Sequence, residues 1–220
     1  MLAKDLISDA IPPLKTSDSG LKALTWMEEF RVAHLPIVNG TNYLGLITEE
    51  DVLNLNAGEE PLGNHPLSLA KPYVSENQHF YEVIKIIDAL KLTLIPVLDT
   101  DMQYVGIITA TDLVHYMSEI AAIKEEGGII ILELNKNDYS LKEVAHIVES
   151  NDGLILSSYV TSHPDSTKML LTLKINKSDL SRILAAFFRL NFIVTASYHQ
   201  SDMGDSLKDR YDSFMKYLDI

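Results

Sequence analysis

One stretch occurs twice in this chain, and its recurrence limits the folds open to it. Gly45-Leu46-Ile47-Thr48-Glu49-Glu50-Asp51-Val52-Leu53 returns as Gly106-Ile107-Ile108-Thr109-Ala110-Thr111-Asp112-Leu113-Val114. Each copy reads as the end of a buried strand turning into a helix, with a hydroxyl at the turn and a carboxylate one helical turn later. The recurrence extends upstream. Pro12, Leu14, Ala23, Met27, Phe30, Leu35 and Pro36 correspond to Pro72, Val74, Val83, Ile87, Leu90, Ile95 and Pro96, always 60 positions apart. After the hairpin the spacing becomes 61, because Asp99-Thr100-Asp101-Met102-Gln103 is one residue longer than the first turn. Loops absorb such insertions. Repetition on this scale indicates two copies of one β-α-β-β-α unit.

Within the first copy, Thr16-Ser17-Asp18-Ser19 offers N-cap oxygens for a helix over about Gly20–Arg31. Leu21, Leu24, Met27 and Phe30 form its inward stripe, widened by Ala23 and Trp26. Leu35-Pro36-Ile37-Val38 reads as a buried strand, and Asn39-Gly40-Thr41-Asn42 has hairpin-turn chemistry. Residues 58–66 carry Gly58, Pro61, Gly63 and Pro66 and read as a linker.

On these residues the chain resembles a known family. The "LPIV" and "IPVL" strands, the hairpins and the "GLITEEDVL" and "GIITATDLV" endings each resemble a CBS motif, and together a CBS pair (Bateman module). The expected divisions are motif 1 at 1–57, the linker at 58–66 and motif 2 at 67–122.

A different pattern follows Gly127-Gly128. Ile129–Leu134 reads as a strand. Ser140-Leu141-Lys142-Glu143 is a capping box that opens a helix with Leu141, Val144, Ile147 and Val148 inward. Ile155–Thr161 is a second strand, and Met169, Leu171, Leu173 and Ile175 alternate on a third. Asn176 or Ser178 then caps a helix to about Leu190, before a last strand over Phe192–Tyr198. That order is the split β-α-β-β-α-β arrangement, so the expected fold class is mixed α/β (α+β), with tandem repeats followed by a ferredoxin-like domain. Residues 128–200 resemble an ACT domain. The segment Asn135–Ser140 lacks the Pro and Gly of the family's ligand-binding turn. The order CBS–CBS–ACT is similar to acetoin-utilisation-type bacterial proteins. Residues 201–220 are expected to end in an amphipathic helix with Leu207, Tyr211, Phe214, Met215 and Leu218 on one stripe.

Charge and composition restrict the partners. Seven Lys and Arg against 17 Asp and Glu precede Ala122, and 11 against 14 follow, for a net charge of −13. Such a surface repels DNA and RNA. The absence of cysteine removes disulfides and thiolate chemistry. The seven histidines show no metal-binding spacing, and no nucleophile–base set is visible, so neither a metal centre nor an enzyme is expected. With no signal peptide or membrane-spanning run, the expected location is the cytoplasm.

The Thr-x-x-Asp turns carry the candidate chemistry. A helix start presents unpaired N–H groups and a positive dipole end, which suit a phosphate. A carboxylate one turn in can accept hydrogen bonds from ribose hydroxyls. In the resembling family, the hydroxyl residue and the Asp meet the phosphate and ribose of adenosine ligands. The resemblance therefore implies a site at Thr48 and Asp51 and another at Thr109 and Asp112, with Leu35, Ile37, Ile95 and Val97 as walls for the base. Glu49 and Glu50 oppose a phosphate at the first turn, so the turn at Thr109 and Asp112 is favoured. No cofactor is required; AMP is the favoured ligand over a polyphosphate, and a homodimer is expected. The same spacing is also a helix-capping signature, and that reading makes the chain a ligand-free assembly module.

Overall fold

The computed structural model describes residues 1–55, 58–65, 70–162 and 167–198. The helix expected within 201–220 lies outside the described residues. The chain divides into two compact units, one spanning Met1–Tyr116 and one beginning at Met117.

The first unit holds the two repeats. Helix α1 (Gly20–Phe30) starts where the Ser19 side chain accepts the Lys22 N–H at 3.3 Å, and ends where Arg31 takes a left-handed conformation with φ 55°. Strands β1 (His34–Asn39) and β2 (Asn42–Thr48) form an antiparallel hairpin, followed by α2 (Glu49–Asn54). The second copy runs β3 (Val74–Ser75), α3 (Phe80–Leu90), β4 (Leu94–Leu98), β5 (Tyr104–Thr109) and α4 (Ala110–Ile120). Lys91 closes α3 as Arg31 closes α1, with φ 52°. Leu14 bridges Ile37 in parallel, as Val74 pairs with Val97, so each copy is β-α-β-β-α. Leu21, expected inward, is 56% exposed, whereas Ala23 and Met27, also expected inward, are buried.

The two copies exchange their lead-in segments. Ala3 and Lys4 donate backbone hydrogen bonds to the carbonyls of Gln78 and Glu76, before α3. Reciprocally, Leu62 and Gly63 donate to those of Asp18 and Thr16, before α1, each at 2.8 Å. Farther along, Ser8 donates to Ile107, and Leu46 donates to Ala70. Each copy thus satisfies backbone groups on the other that would otherwise be exposed strand edges. Residues 58–65 are accordingly more than a linker. Leu62 opens a 3-10 turn (Leu62–Asn64) matching the one at Ala3–Leu6, and it is fully buried in the core with Leu14, Leu35 and Ile47. Gly63 is there for proximity: a Cβ would come within 3.1 Å of Thr16.

The second unit is built of β6 (Gly128–Asn135), α5 (Leu141–Glu149), β7 (Ile155–Ser162), β8 (Lys168–Ile175), α6 (Ser181–Arg189) and β9 (Ile193–Tyr198). The strand order is β7-β8-β6-β9 with every neighbour antiparallel, which is the split βαββαβ topology. Ile130, Leu132, Leu171, Leu173 and Ile175 pack against Val144, Ile147, Val148, Ile183 and Phe187 of the two helices. Leu141, expected inward, is 41% exposed at the first position of α5. Neither Asn176 nor Ser178 caps α6. The N-cap is Leu180, the Asp179 carboxylate takes the Ser181 N–H at 2.9 Å, and Asn176 instead accepts the Leu154 N–H at 2.7 Å. A polar side chain just before a helix is legible in sequence; which of three neighbours reaches the open N–H depends on the approach of the chain.

Candidate functional site

Both Thr-x-x-Asp turns close as capping boxes. At the first, Thr48 is the N-cap of α2. Its hydroxyl oxygen accepts the Asp51 N–H at 3.1 Å and donates its proton to Asp51 Oδ2 at 2.7 Å. Oδ2 also accepts the Thr48 N–H at 2.8 Å. At the second, the same three bonds between Thr109 and Asp112 measure 3.0, 2.7 and 3.3 Å. The hydroxyl and one carboxylate oxygen are thus committed to the helix start, and Oδ1 is the oxygen outside the cap. The flanks differ as the sequence implies: Glu49 and Glu50 occupy the first turn of α2, whereas α4 has Ala110 and Thr111 there.

The apolar residues assigned as walls lie elsewhere. Leu35, Ile37, Ile95 and Val97 are all fully buried. They pack in the hydrophobic cores beneath the strands. In a strand covered on both sides, alternation does not identify a free face.

A cleft of about 520 Å³ opens beside the first turn, bordered by Leu24, Met27, Arg31, Glu49, Leu53 and Thr93. Arg31 was not legible as a site residue, because no motif contains it. Its left-handed position at the end of α1 brings it to the rim beside Glu49, and Thr93 joins from the second repeat. The equivalent Lys91 is ion-paired with Asp88 at 2.7 Å.

Thr93 also joins the repeats. Ala33 N–H donates to Thr93 Oγ1 at 3.1 Å, and Thr93 N–H donates to His34 Nδ1 at 3.3 Å. Oγ1 and Nδ1 are 3.0 Å apart, so the hydroxyl proton is directed to Nδ1. A ring nitrogen accepting two hydrogen bonds is unprotonated, which fixes His34 as the neutral Nε2–H tautomer. Burial holds the His34 pKa below 6.5, against the opposing pull of the Asp51 carboxylate. Because the folded pKa is the lower one, the unfolded chain takes the proton first. The contribution of His34 to stability is therefore complete above pH 6.5 and is lost as pH falls below it. Urea midpoints followed by Trp26 fluorescence should drop from pH 7 to pH 5.5. In His34→Gln, which keeps an acceptor and cannot titrate, that part of the drop should vanish. An unchanged pH profile would show that His34 carries no such linkage.

Among the described residues no group of three or more His, Asp or Glu is placed to hold a metal ion, and no helix is long and apolar enough to cross a membrane.

Both turns fall within stretches that match a known family model. Residues 3–58 and 68–119 each match the model of the CBS domain. The inosine-5'-monophosphate dehydrogenase of Thermoplasma acidophilum is 22% identical over 161 residues, 72% of this chain. The match spans about a third, 32%, of that relative's length. Among solved structures, a CBS domain pair/ACT domain protein from Thermotoga maritima is similar with a TM-score of 0.48 and 19% identity, over 54% of this chain and 98% of the other. CBSX2, solved in complex with AMP, is similar with a TM-score of 0.47 and 20% identity, over 54% and 97%.

Proposed function

From the pair of CBS domains that residues 3–58 and 68–119 form, we propose a regulatory protein that senses an adenosine-type ligand. CBS pairs are regulatory elements; the ligand and its position are the proposal's own. The observation that carries it is the second turn. There an 11-residue helix begins at neutral Ala110 and Thr111, and the Asp112 carboxylate keeps Oδ1 outside the cap. The helix start favours a phosphate, and Oδ1 can accept from a ribose hydroxyl. At the first turn Glu49 and Glu50 oppose the same phosphate, since like charges a few ångströms apart repel by roughly 1 to 4 kcal/mol near a protein surface.

The chain's negative charge favours AMP, or an adenosyl compound of low charge, over ATP. The βαββαβ unit then serves as an ACT-like reporting or assembly domain in a homodimer, and the ligand acts by binding one arrangement of the subunits better than another.

Thermal denaturation with AMP, ADP, ATP, NADH and S-adenosylmethionine tests the reading. A ligand at a hundred times its Kd stabilises the native state by about 2.7 kcal/mol. AMP should raise the melting temperature by several degrees, Asp112→Ala should abolish the rise, and Asp51→Ala should keep most of it. The closed capping boxes favour a second reading, a ligand-free assembly module. No shift with any of the five ligands at millimolar concentration would establish that reading in place of the first.

A further inference from the structure

The second unit holds a cavity of about 510 Å³ on the sheet face that α5 and α6 leave uncovered. Alternation along the strands builds it. On β6, Ile130, Leu132 and Leu134 enter the core, so Ile129 and Ile131 face the other way. On β8, Lys174 lies opposite Ile129, and Thr172 opposite Ile131. On the outer strands, Tyr159 is opposite Thr172, and Tyr198 opposite Ile129. Residues 121–127, which follow α4, close the end of this face. The Ser157 hydroxyl donates to the Ala121 carbonyl at 2.7 Å, and Lys174 Nζ donates to that of Gly127 at 3.4 Å. Ile123, Lys124 and Glu125 of this strap border the same space.

Two features separate this cavity from an ordinary solvated sheet. Among the described residues Thr172 is the buried polar side chain, at 8% exposure, and it stands on an inner strand at the cavity. Lys174 stands on the same inner strand. Its stem covers apolar sheet, while its ammonium spends one long bond on Gly127 and has three donors in all. The lining therefore combines an ammonium and a hydroxyl at the centre with Ile129, Ile123 and tyrosine rings around them. Lys124 at the rim is paired with Glu119 at 3.7 Å, so Lys174 is the cation that the cavity itself presents.

We propose that this cavity binds a small organic monoanion: a carboxylate carried on a flat or branched apolar body. The volume lies within the ordinary range for small-molecule sites. The carboxylate meets the Lys174 ammonium and the Thr172 hydroxyl, and the body lies against Ile129 and the tyrosines. The site is separate from the nucleotide reading and stands or falls without it.

Isothermal titration of the full chain with phenylacetate, against the uncharged phenylacetamide, tests the assignment. Phenylacetate should give a saturable heat, and the amide should bind at least about tenfold more weakly, since a charged hydrogen bond is lost. Lys174→Met should weaken phenylacetate by about ten- to a hundredfold. Tyr159→Ala, at an edge position 56% exposed and so harmless to folding, should weaken it as well. No heat with phenylacetate at about 10 mM, equal binding of acid and amide, or unchanged affinity in both variants would overturn the proposal.

Discussion

Leu62→Ala is expected to destabilise the first unit by about 3 kcal/mol, the usual range for a buried leucine reduced to alanine being 2–5. Leu62 is fully buried beside Leu14, Leu35 and Ile47, although it lies in a stretch whose glycines and prolines read as a linker. A true linker residue would change stability by less than about 0.5 kcal/mol. Leu53→Ala is the matched control, since Leu53 is 60% exposed on α2. Trp26, the single tryptophan, packs against the same core as Leu62 and reports the unfolding of that unit in urea. A Leu62→Ala midpoint equal to that of Leu53→Ala would remove the claim that the lead-in segment belongs to the core.

Gly127→Ala is the second large effect expected. Gly127 has φ 139°, and a Cβ there would lie 2.0 Å from the Ile175 carbonyl oxygen. That oxygen is backbone at the end of β8, so no change of rotamer relieves the overlap. Backbone strain and overpacking each cost on the order of 1–3 kcal/mol, giving about 3 kcal/mol or more together. In a unit of this size such a loss lowers the melting temperature by about 10 °C or more. Gly40→Ala separates the two contributions, because Gly40 has φ 64° and nothing within 4 Å of its added Cβ. It should cost only about 1 kcal/mol. Amide exchange at Ile130, Leu132, Leu171 and Leu173 should quicken in Gly127→Ala and not in Gly40→Ala. Equal protection in the two variants would refute the steric account.

The turns show how far sequence reading reaches into the site. Thr48, Asp51, Thr109 and Asp112 were legible because capping is local: the hydroxyl, the carboxylate and the N–H groups they bond lie within four residues of one another. The same locality makes the pattern ambiguous, since a cap and a phosphate cradle call for the same residues. Leu35, Ile37, Ile95 and Val97 were legible as buried and not as core rather than wall, because period-2 patterning is silent when both faces of a strand are covered. Arg31 and Thr93 were not legible at all. Each reaches the cleft from a different repeat, and no local rule links them.

The sequence by itself determined the two β-α-β-β-α copies, their 60- and 61-residue spacing and the βαββαβ order that follows, because turn chemistry and hydrophobic period act over a few residues. The tertiary structure alone decided that each copy lends its lead-in segment to the other and that Leu62 belongs to a core. It also decided that Thr93 meets His34, and that a strap of seven residues closes a cavity over Thr172 and Lys174. These depend on which distant backbone groups satisfy each other's hydrogen bonds, and that is settled only when the whole unit closes. The repeated turn therefore names the fold, and its two settings differ in the charge that flanks them.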